Sequence, residues 1–124
     1  MSALEFSYPA ELVRVIDGDT IIVKCDLGFN IKRTITCRLS DIDAPEVRGE
    51  EKDEGLRVKR YAENLIGDEQ LIVTTKKKGK FGRWLATIWT ADDTKKSLNQ
   101  KIYDFYSEIA EEEFDDDPDD PDQG

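Results

Sequence analysis

The first third of the chain alternates between short β-branched runs and turn residues. Residues 11–16, 20–24 and 30–39 are rich in Val, Ile and Thr, which favour extended strands. Asp-Gly separates the first two runs, and residues 26–29, which include Gly28, separate the second run from the third. The pattern predicts three consecutive strands joined by hairpin turns.

The middle of the chain changes to a helical period. Apolar residues recur at i, i+3, i+4, i+7 and i+8, which places them on one face of a helix. They are Val58, Tyr61, Ala62, Leu65 and Ile66. Gly67 stands where a helix C-cap belongs. Before the helix, Pro45 and the charged residues 46–53 predict an exposed loop.

The last part of the pattern predicts two more strands and a second helix. Residues 70–75 and 84–90 read as strands joined by a basic loop at residues 76–83. The helix is predicted to begin at Ser97, with Gln100 completing a capping box. Its apolar stripe consists of Leu98, Ile102, Phe105, Tyr106 and Ile109.

The element order of three strands, helix, two strands and helix is that of a five-stranded OB-fold barrel. We therefore predict a mainly β fold with two helices, of a kind that often binds nucleic acids or saccharides. Residues 1–110 are predicted to form one domain. Asp, Glu and Pro dominate residues 111–124, so this acidic tail is predicted to be disordered.

The net charge of -10 comes from the C-terminal residues from Glu108 onward. Ten of the 28 acidic residues lie from Glu108 onward, which leaves 18 acidic and 18 basic residues in the preceding body. A formally neutral body with a basic loop is compatible with a polyanionic partner. We expect the acidic tail to contact the basic loop or a basic protein partner.

The absence of histidine excludes whole classes of chemistry. Neither Ser-His-Asp nor Cys-His catalysis is possible, and the two cysteines alone cannot make a His/Cys zinc cluster. If Asp19 and Arg38 face each other across a hairpin, Cys25 lies opposite roughly Lys32 and far from Cys37. Two unpaired thiols suit a reducing compartment. With no basic, apolar leader and no long apolar run, we expect an intracellular, cytoplasmic protein away from membranes.

Two motifs carry the candidate chemistry. Asp-Gly-Asp-Thr occupies residues 17–20, and Arg-Leu-Ser-Asp-Ile-Asp-Ala-Pro-Glu occupies residues 38–46. Taken alone, each is typical of a solvated turn or loop. Taken together, they are brought close by one hairpin, which gathers three carboxylates and a guanidinium. These groups belong to Asp19, Asp43, Glu46 and Arg38.

The carboxylates form a suitable donor set for a hard divalent cation, which takes oxygen ligands. Asp19 and Asp43 would supply two carboxylates, and the backbone carbonyl of Ala44 a third oxygen. Glu46 follows three residues after Asp43, near enough to hold a water molecule in the outer shell of the metal.

The arginines supply the second half of the chemistry. An alternative interpretation of Arg38 is an ordinary ion pair with the nearby carboxylates. An alternative interpretation of Arg83 is a solvated residue at the tip of a hairpin in the basic loop. Two planar guanidiniums can instead grip phosphate oxygens bidentately, as a pentacoordinate phosphorus requires.

These motifs, together with Lys-Phe-Gly-Arg-Trp-Leu-Ala at residues 80–86, resemble the staphylococcal nuclease (thermonuclease) family over residues 13–107. The resemblance implies one calcium ion held by Asp19, Asp43 and Ala44.

It also implies roles for five further residues. Arg38 and Arg83 would clamp the phosphate and the transition state, and Glu46 would activate or orient the attacking water. Lys80 and Phe81 match a Lys-Tyr pair that holds a nucleotide phosphate in the family, although Phe lacks the hydroxyl.

The implied activity is a calcium-dependent nuclease that cleaves DNA, and RNA as well, by in-line attack of water. The products would carry 3′-phosphate ends. The family usually continues after the second helix into a third helix, where this sequence has its acidic segment. We expect a monomer.

Two other functions remain open from the residues. The first is a non-catalytic OB-fold module that binds single-stranded nucleic acid, with Phe81, Trp84 and Trp89 as a stacking platform. The second is a protein-interaction domain of the Tudor-associated type. Pure binding does not need clustered carboxylates, which repel phosphate unless a metal neutralises them.

Overall fold

The structure is a computed structural model that describes residues 6–40, 52–78 and 82–119, without the side chains of residues 52, 77, 78 and 110–119. Within these ranges the chain forms five strands and two helices. In chain order they are β1 (Phe6–Asp17), β2 (Thr20–Asp26), β3 (Lys32–Leu39), α1 (Lys52–Ile66), β4 (Leu71–Lys78), β5 (Trp84–Thr90) and α2 (Leu98–Asp119).

The strands close into a barrel in the order β1-β2-β3-β5-β4. The long strand β1 pairs antiparallel with β4 through its first half and with β2 through its second half. Strand β3 pairs antiparallel with β2 and parallel with β5, which closes the circuit. This topology confirms the predicted mainly β, five-stranded OB-type barrel with two helices.

The core lies inside the barrel and under the helices. Alternate residues of each strand point inward, as the period of two requires. Helix α1 adds Val58, Ala62 and Ile66, and α2 adds Leu98, Ile102 and Ile109, all of them fully buried. Each such aliphatic side chain contributes about 1.5–3 kcal/mol relative to an exposed one. Helix α1 packs against β1 and α2, and α2 packs against β5.

The capping predictions hold in part. Gly67 follows α1 with a φ of +52°, and its N–H donates to the Glu63 carbonyl at 2.9 Å. Ser97 Oγ accepts the Gln100 N–H at 3.1 Å and so acts as the N-cap of α2. The Gln100 side chain turns forward to Asp104 at 2.9 Å, so in place of the full capping box an i,i+4 pair is formed.

Strand β1 and helix α1 begin earlier in the chain than the sequence predicted. Strand β1 begins at Phe6 because its first five residues pair with β4, which follows more than sixty residues later in the chain. Helix α1 begins at Lys52 although the loop was expected to continue to Asp53. The carboxylates of Asp53 and Glu54 lie in its first turn, where they interact favourably with the helix dipole.

Helix α2 also runs further than expected. Its backbone stays helical to Asp119, so residues 111–119 have regular structure where we predicted a disordered tail. Ala110 and the three glutamates after it are good helix formers, which favours continuation of the helix. Residues 120–124 lie outside the described part of the chain. The division into a domain at residues 1–110 and a tail at 111–124 stays a prediction.

No helix in the described ranges combines the length and apolarity needed to cross a membrane.

Candidate functional site

Asp19 lies in the turn between β1 and β2, against the end of β3. Thr20 is the residue directly opposite Arg38 in the β2–β3 register. Asp19 lies one position earlier, and its carbonyl accepts the Leu39 N–H at 2.8 Å. The hairpin therefore brings the two motifs together as expected, with the register displaced by one residue.

The side chains of Asp19 and Arg38 form an ion pair. Arg38 Nη1 lies 3.4 Å from Asp19 Oδ2, and the two side chains are 25% and 11% exposed, respectively. Thr20 Oγ1 donates to Asp19 Oδ1 at 3.0 Å, and Arg38 Nη1 also donates to the Leu39 carbonyl at 3.3 Å. The ion-pair distance is longer than the 2.7–2.9 Å of a strong charge-assisted hydrogen bond. A carboxylate and a guanidinium thus lie side by side in a largely dry place without a tight mutual bond.

Arg83 reaches the same region of the sheet from β5. It is half-buried and immediately precedes Trp84, the first residue of that strand. Trp84 pairs with Cys37 and Leu85 pairs with Arg38 in the parallel β3–β5 ladder. Arg83 therefore stands at the start of the strand that runs beside Arg38.

The remaining predicted site residues, Asp43, Ala44, Glu46, Lys80 and Phe81, lie outside the described residues. The first three follow β3 in the chain, and the Ser40 N–H donates to the Ala86 carbonyl at 2.9 Å, which continues the parallel ladder by one residue. Within the described ranges, no group of three or more His, Cys, Asp or Glu side chains is placed to hold a metal ion. The full ligand set stays a prediction.

The two cysteines are buried, free thiols. Cys25 pairs with Arg33 and Cys37 pairs with Ile21, so they stand four positions apart in the β2–β3 ladder. Burial, with a smaller contribution from Cys25, raises the pKa of Cys37 to about 12, and burial also raises the pKa of Cys25. Both thiols are therefore protonated at neutral pH and do not act as thiolate nucleophiles.

Asn99 supports this site and was missed by sequence reasoning. Its buried side chain accepts the Ile88 N–H at 3.0 Å and donates to the carbonyls of Ser40 and Ala86, both at 3.0 Å. It thus ties α2 to β5 and to the residue that follows β3. The sequence signal that could have identified Asn99 was a side-chain amide in the first turn of α2, next to Leu98 of the apolar stripe.

We expect Asn99→Asp to lower the free energy of unfolding by about 2–4 kcal/mol. The substitution keeps the shape but removes the Asn99 donor to the Ser40 carbonyl, leaves the Ala86 carbonyl with only the Ser40 N–H, and buries a charge. Urea unfolding measures the loss, with Asn64→Asp on the exposed face of α1 as the matched control. A stability within about 1 kcal/mol of the wild type would show that the Asn99 contacts matter little.

Comparison with known proteins agrees with this arrangement. The sequence model of the family described as "Staphylococcal nuclease homologue" matches residues 36–104, more than half of the chain. The chain belongs to the staphylococcal nuclease family. The matched range contains Arg38, all five undescribed site residues and Arg83, while Asp19 precedes it.

Two curated relatives are similar over most of this chain. Protein ParB of Escherichia coli is 38% identical over 79 residues, which are 64% of this chain and 40% of the relative. The Micrococcal nuclease of Shigella flexneri is 35% identical over 82 residues, or 66% of this chain and 42% of the relative. The chain spans about two fifths of the length of these relatives.

Proposed function

We propose that this member of the family is a calcium-dependent nuclease that hydrolyses phosphodiester bonds of DNA and RNA and leaves 3′-phosphate ends. The observation that carries the proposal is the placement of Asp19 beside Arg38 at the end of β3, with Arg83 entering from the neighbouring strand. Support also comes from the family membership and from the similarity to a protein named Micrococcal nuclease.

The donor chemistry fits one calcium ion. Asp19 offers a carboxylate that is only 11% exposed, at the end of β3, which Asp43 and Ala44 follow in the chain. Two carboxylates and a carbonyl are oxygen donors of the kind that calcium takes. In the proposal these three residues hold the ion, which would supply positive charge to the phosphate and its developing negative charge.

The other residues act directly on the substrate. Glu46 orients a water molecule in line with the P–O5′ bond and takes up its proton. The water oxygen bonds to phosphorus as the P–O5′ bond breaks, so the 5′-oxygen leaves, takes a proton from solvent water to become a hydroxyl, and the phosphate stays on the 3′ side. Arg38 and Arg83 hold the equatorial oxygens, where two-pronged donors favour the pentacoordinate state over the tetrahedral one.

The decisive test is hydrolysis by the purified chain with calcium or with a chelator. We expect single-stranded DNA, plasmid DNA and RNA to be cut only when calcium is present. Fragments should become substrates for end extension only after phosphatase treatment, because a 3′-phosphate blocks extension. Intact substrate under both conditions, with binding retained, would leave the non-catalytic module as the function.

We further propose that the acidic segment from Glu111 competes with nucleic acid for the basic loop of residues 76–83. A chain ending at Ala110 is then expected to bind single-stranded DNA more tightly than the full chain at low salt. The difference should close as salt rises, because screening acts within about 10 Å at ~0.1 M salt. Fluorescence anisotropy across a salt series measures it, and equal affinities at low salt would assign the segment another role, such as contact with a basic protein.

The monomeric state and the cytoplasmic location are also proposals. The two unbridged thiols support a reducing compartment.

A further inference from the structure

A cavity of about 160 Å³ lies at one end of the barrel. The ends of β2 and β4 and the beginnings of β1, β3 and β5 meet there. The cavity is lined by Tyr8, Leu27, Arg33, Ile35, Thr75 and Trp84, among others. It lies several residues along β3 from Arg38, so it is separate from the Asp19–Arg38 pair.

The size and lining of this cavity suit one flat ring system. Pockets for drug-sized ligands occupy about 300–1,000 Å³, so this cavity is too small for an extended ligand. Two aromatic side chains and a guanidinium contribute to its walls. Aromatic faces stack on conjugated rings, and arginine also packs against such rings.

The turn between β2 and β3 stands at the same end and presents an exposed phenylalanine in an unfavourable backbone conformation. Phe29 is 95% exposed and has a φ of +56°, between Gly28 and Asn30, which also have positive φ values. Hydrogen bonds fix the turn, from the Leu27 N–H to the Ile31 carbonyl at 2.8 Å and from the Ile31 N–H to the Gly28 carbonyl at 2.9 Å.

Positive φ is an outlier for a bulky residue, and glycine would adopt it without strain. The Phe29 ring is almost wholly exposed, so it contributes almost no packing energy that would offset the strain of the positive φ. Strained residues that persist in this way point to a functional role.

The surroundings combine apolar and basic groups. Four of the six exposed large hydrophobic side chains in the described ranges lie around this end: Phe6, Leu27, Phe29 and Ile31. Two exposed cations accompany the cavity: Arg33 in its wall, and Lys76, which follows Thr75 of that wall. Lys32 instead lines a separate groove with four acidic side chains, so its charge is offset there.

We propose that this end of the barrel, which we call the aromatic end, binds unstacked bases of a single nucleic-acid strand. The Phe29 ring stacks on one base, the cavity beside Tyr8 and Trp84 takes a neighbouring base, and the surrounding cations contact the phosphates. Exposed aromatic rings within a positive surface are what sequence-tolerant binding of single strands requires.

The inference rests on the proposed function, because it extends the path of the same strand. Arg33 and Arg38 are five residues apart in β3, which is about 16 Å along an extended strand. Arg83, the proposed phosphate clamp, is the chain neighbour of Trp84 in the cavity wall. One strand can therefore pass from the aromatic end to the arginines, so that its flanking bases are held while a phosphate is cut.

Charge argues against a second copy of this chain as the occupant. A twofold contact through the aromatic end would bring Arg33 and Lys76 of each copy together and cause repulsion. A polyanion is attracted by the same groups.

The test measures binding by fluorescence anisotropy in the presence of a chelator, so that hydrolysis does not interfere. The probes are a thymidine oligonucleotide and an abasic oligonucleotide of equal length. Phe29→Gly is expected to weaken binding of the thymidine probe about 5- to 100-fold, as for loss of one stacked base. It should leave the affinity for the abasic probe and the folded stability undiminished, because glycine relieves the positive φ.

Two further variants separate the contributions. Arg33→Gln should weaken binding of both probes, most strongly at low salt, because it removes a phosphate contact. Tyr103→Ala removes an aromatic ring of α2 that is 50% exposed, and it should change neither affinity.

If Phe29→Gly binds the thymidine probe with unchanged affinity, the inference is overturned. The proposed nuclease activity is then still decided by the hydrolysis assay. The inference would also be overturned if Phe29→Gly altered only self-association in ultracentrifugation, or only binding to phosphatidylcholine–phosphatidylserine vesicles. Conversely, a Phe29-dependent affinity without calcium-dependent cleavage would support the aromatic end and remove the proposed nuclease activity.

Discussion

Arg38→Lys and Arg83→Lys are each expected to lower kcat about a hundred- to a thousandfold although both keep the positive charge. Lysine is a point charge on a flexible stem and cannot contact two phosphate oxygens in one plane. The loss of one preorganised donor to a transition state has an effect of this size in other enzymes. Initial rates on single-stranded DNA at saturating calcium measure it.

The structure suggests a second role for Arg38, in a structural ion pair, because its guanidinium lies 3.4 Å from the Asp19 carboxylate. If the arginine served only that ion pair, lysine would replace it at little cost. Partly exposed pairs contribute about 0–1 kcal/mol to stability, whereas the expected loss in rate corresponds to about 2.7–4 kcal/mol. Stability and turnover together therefore distinguish the two roles.

Arg60→Lys, on the exposed face of α1, is the matched control and should change neither quantity. If Arg38→Lys or Arg83→Lys retains near-normal turnover, the substituted arginine serves only in a structural ion pair or as a solvated loop residue.

The architecture was predictable because most of its signals are local. Hairpins and a one-sided helix are encoded by neighbouring residues, so the order of strands and helices followed from the hydrophobic period. The proximity of Asp19 and Arg38 is of the same kind, since a single hairpin determines it. The register differed by one residue because the turn between Asp26 and Lys32 is centred on Phe29, with three consecutive positive φ values, and not between Gly28 and Phe29.

Features that depend on distant residues were missed. The first half of β1 becomes a strand only by pairing with β4, and the role of Asn99 depends on Ser40, Ala86 and Ile88. The hydrophobic periodicity of the sequence contains no information about such distant partners. The continuation of α2 past Ala110 was missed for a different reason: acidic composition was weighted above the helix propensity of glutamate.

The predicted site residues also fall into two groups, according to whether the barrel itself positions them. Asp19, Arg38 and Arg83 occupy strand ends and a turn, which the barrel positions. Asp43, Ala44, Glu46, Lys80 and Phe81 occupy connections between strands and helix, outside the described residues. Loops carry function on a rigid scaffold, so the identity of these residues was readable from the motif while their geometry was not.

Asp19→Asn is expected to weaken calcium binding at least about tenfold and to abolish most hydrolysis while the fold survives. The amide keeps an oxygen acceptor for the Thr20 hydroxyl but removes one of the two anionic ligands proposed for the ion. Calcium affinity depends strongly on the charge of the ligands. Isothermal titration calorimetry of the calcium complex measures the change, and Asp43→Asn is expected to behave alike.

Stability provides the internal check on this variant. Loss of the Asp19 charge also removes the ion pair with Arg38, which should alter the free energy of unfolding by about 1 kcal/mol or less. A large loss of calcium affinity with nearly unchanged urea unfolding would therefore assign Asp19 to the metal rather than to the scaffold. Asp68→Asn, an exposed carboxylate after α1, is the control. If calcium binds Asp19→Asn and Asp68→Asn equally well, the ion is held elsewhere, and Arg38 is then the principal partner of Asp19.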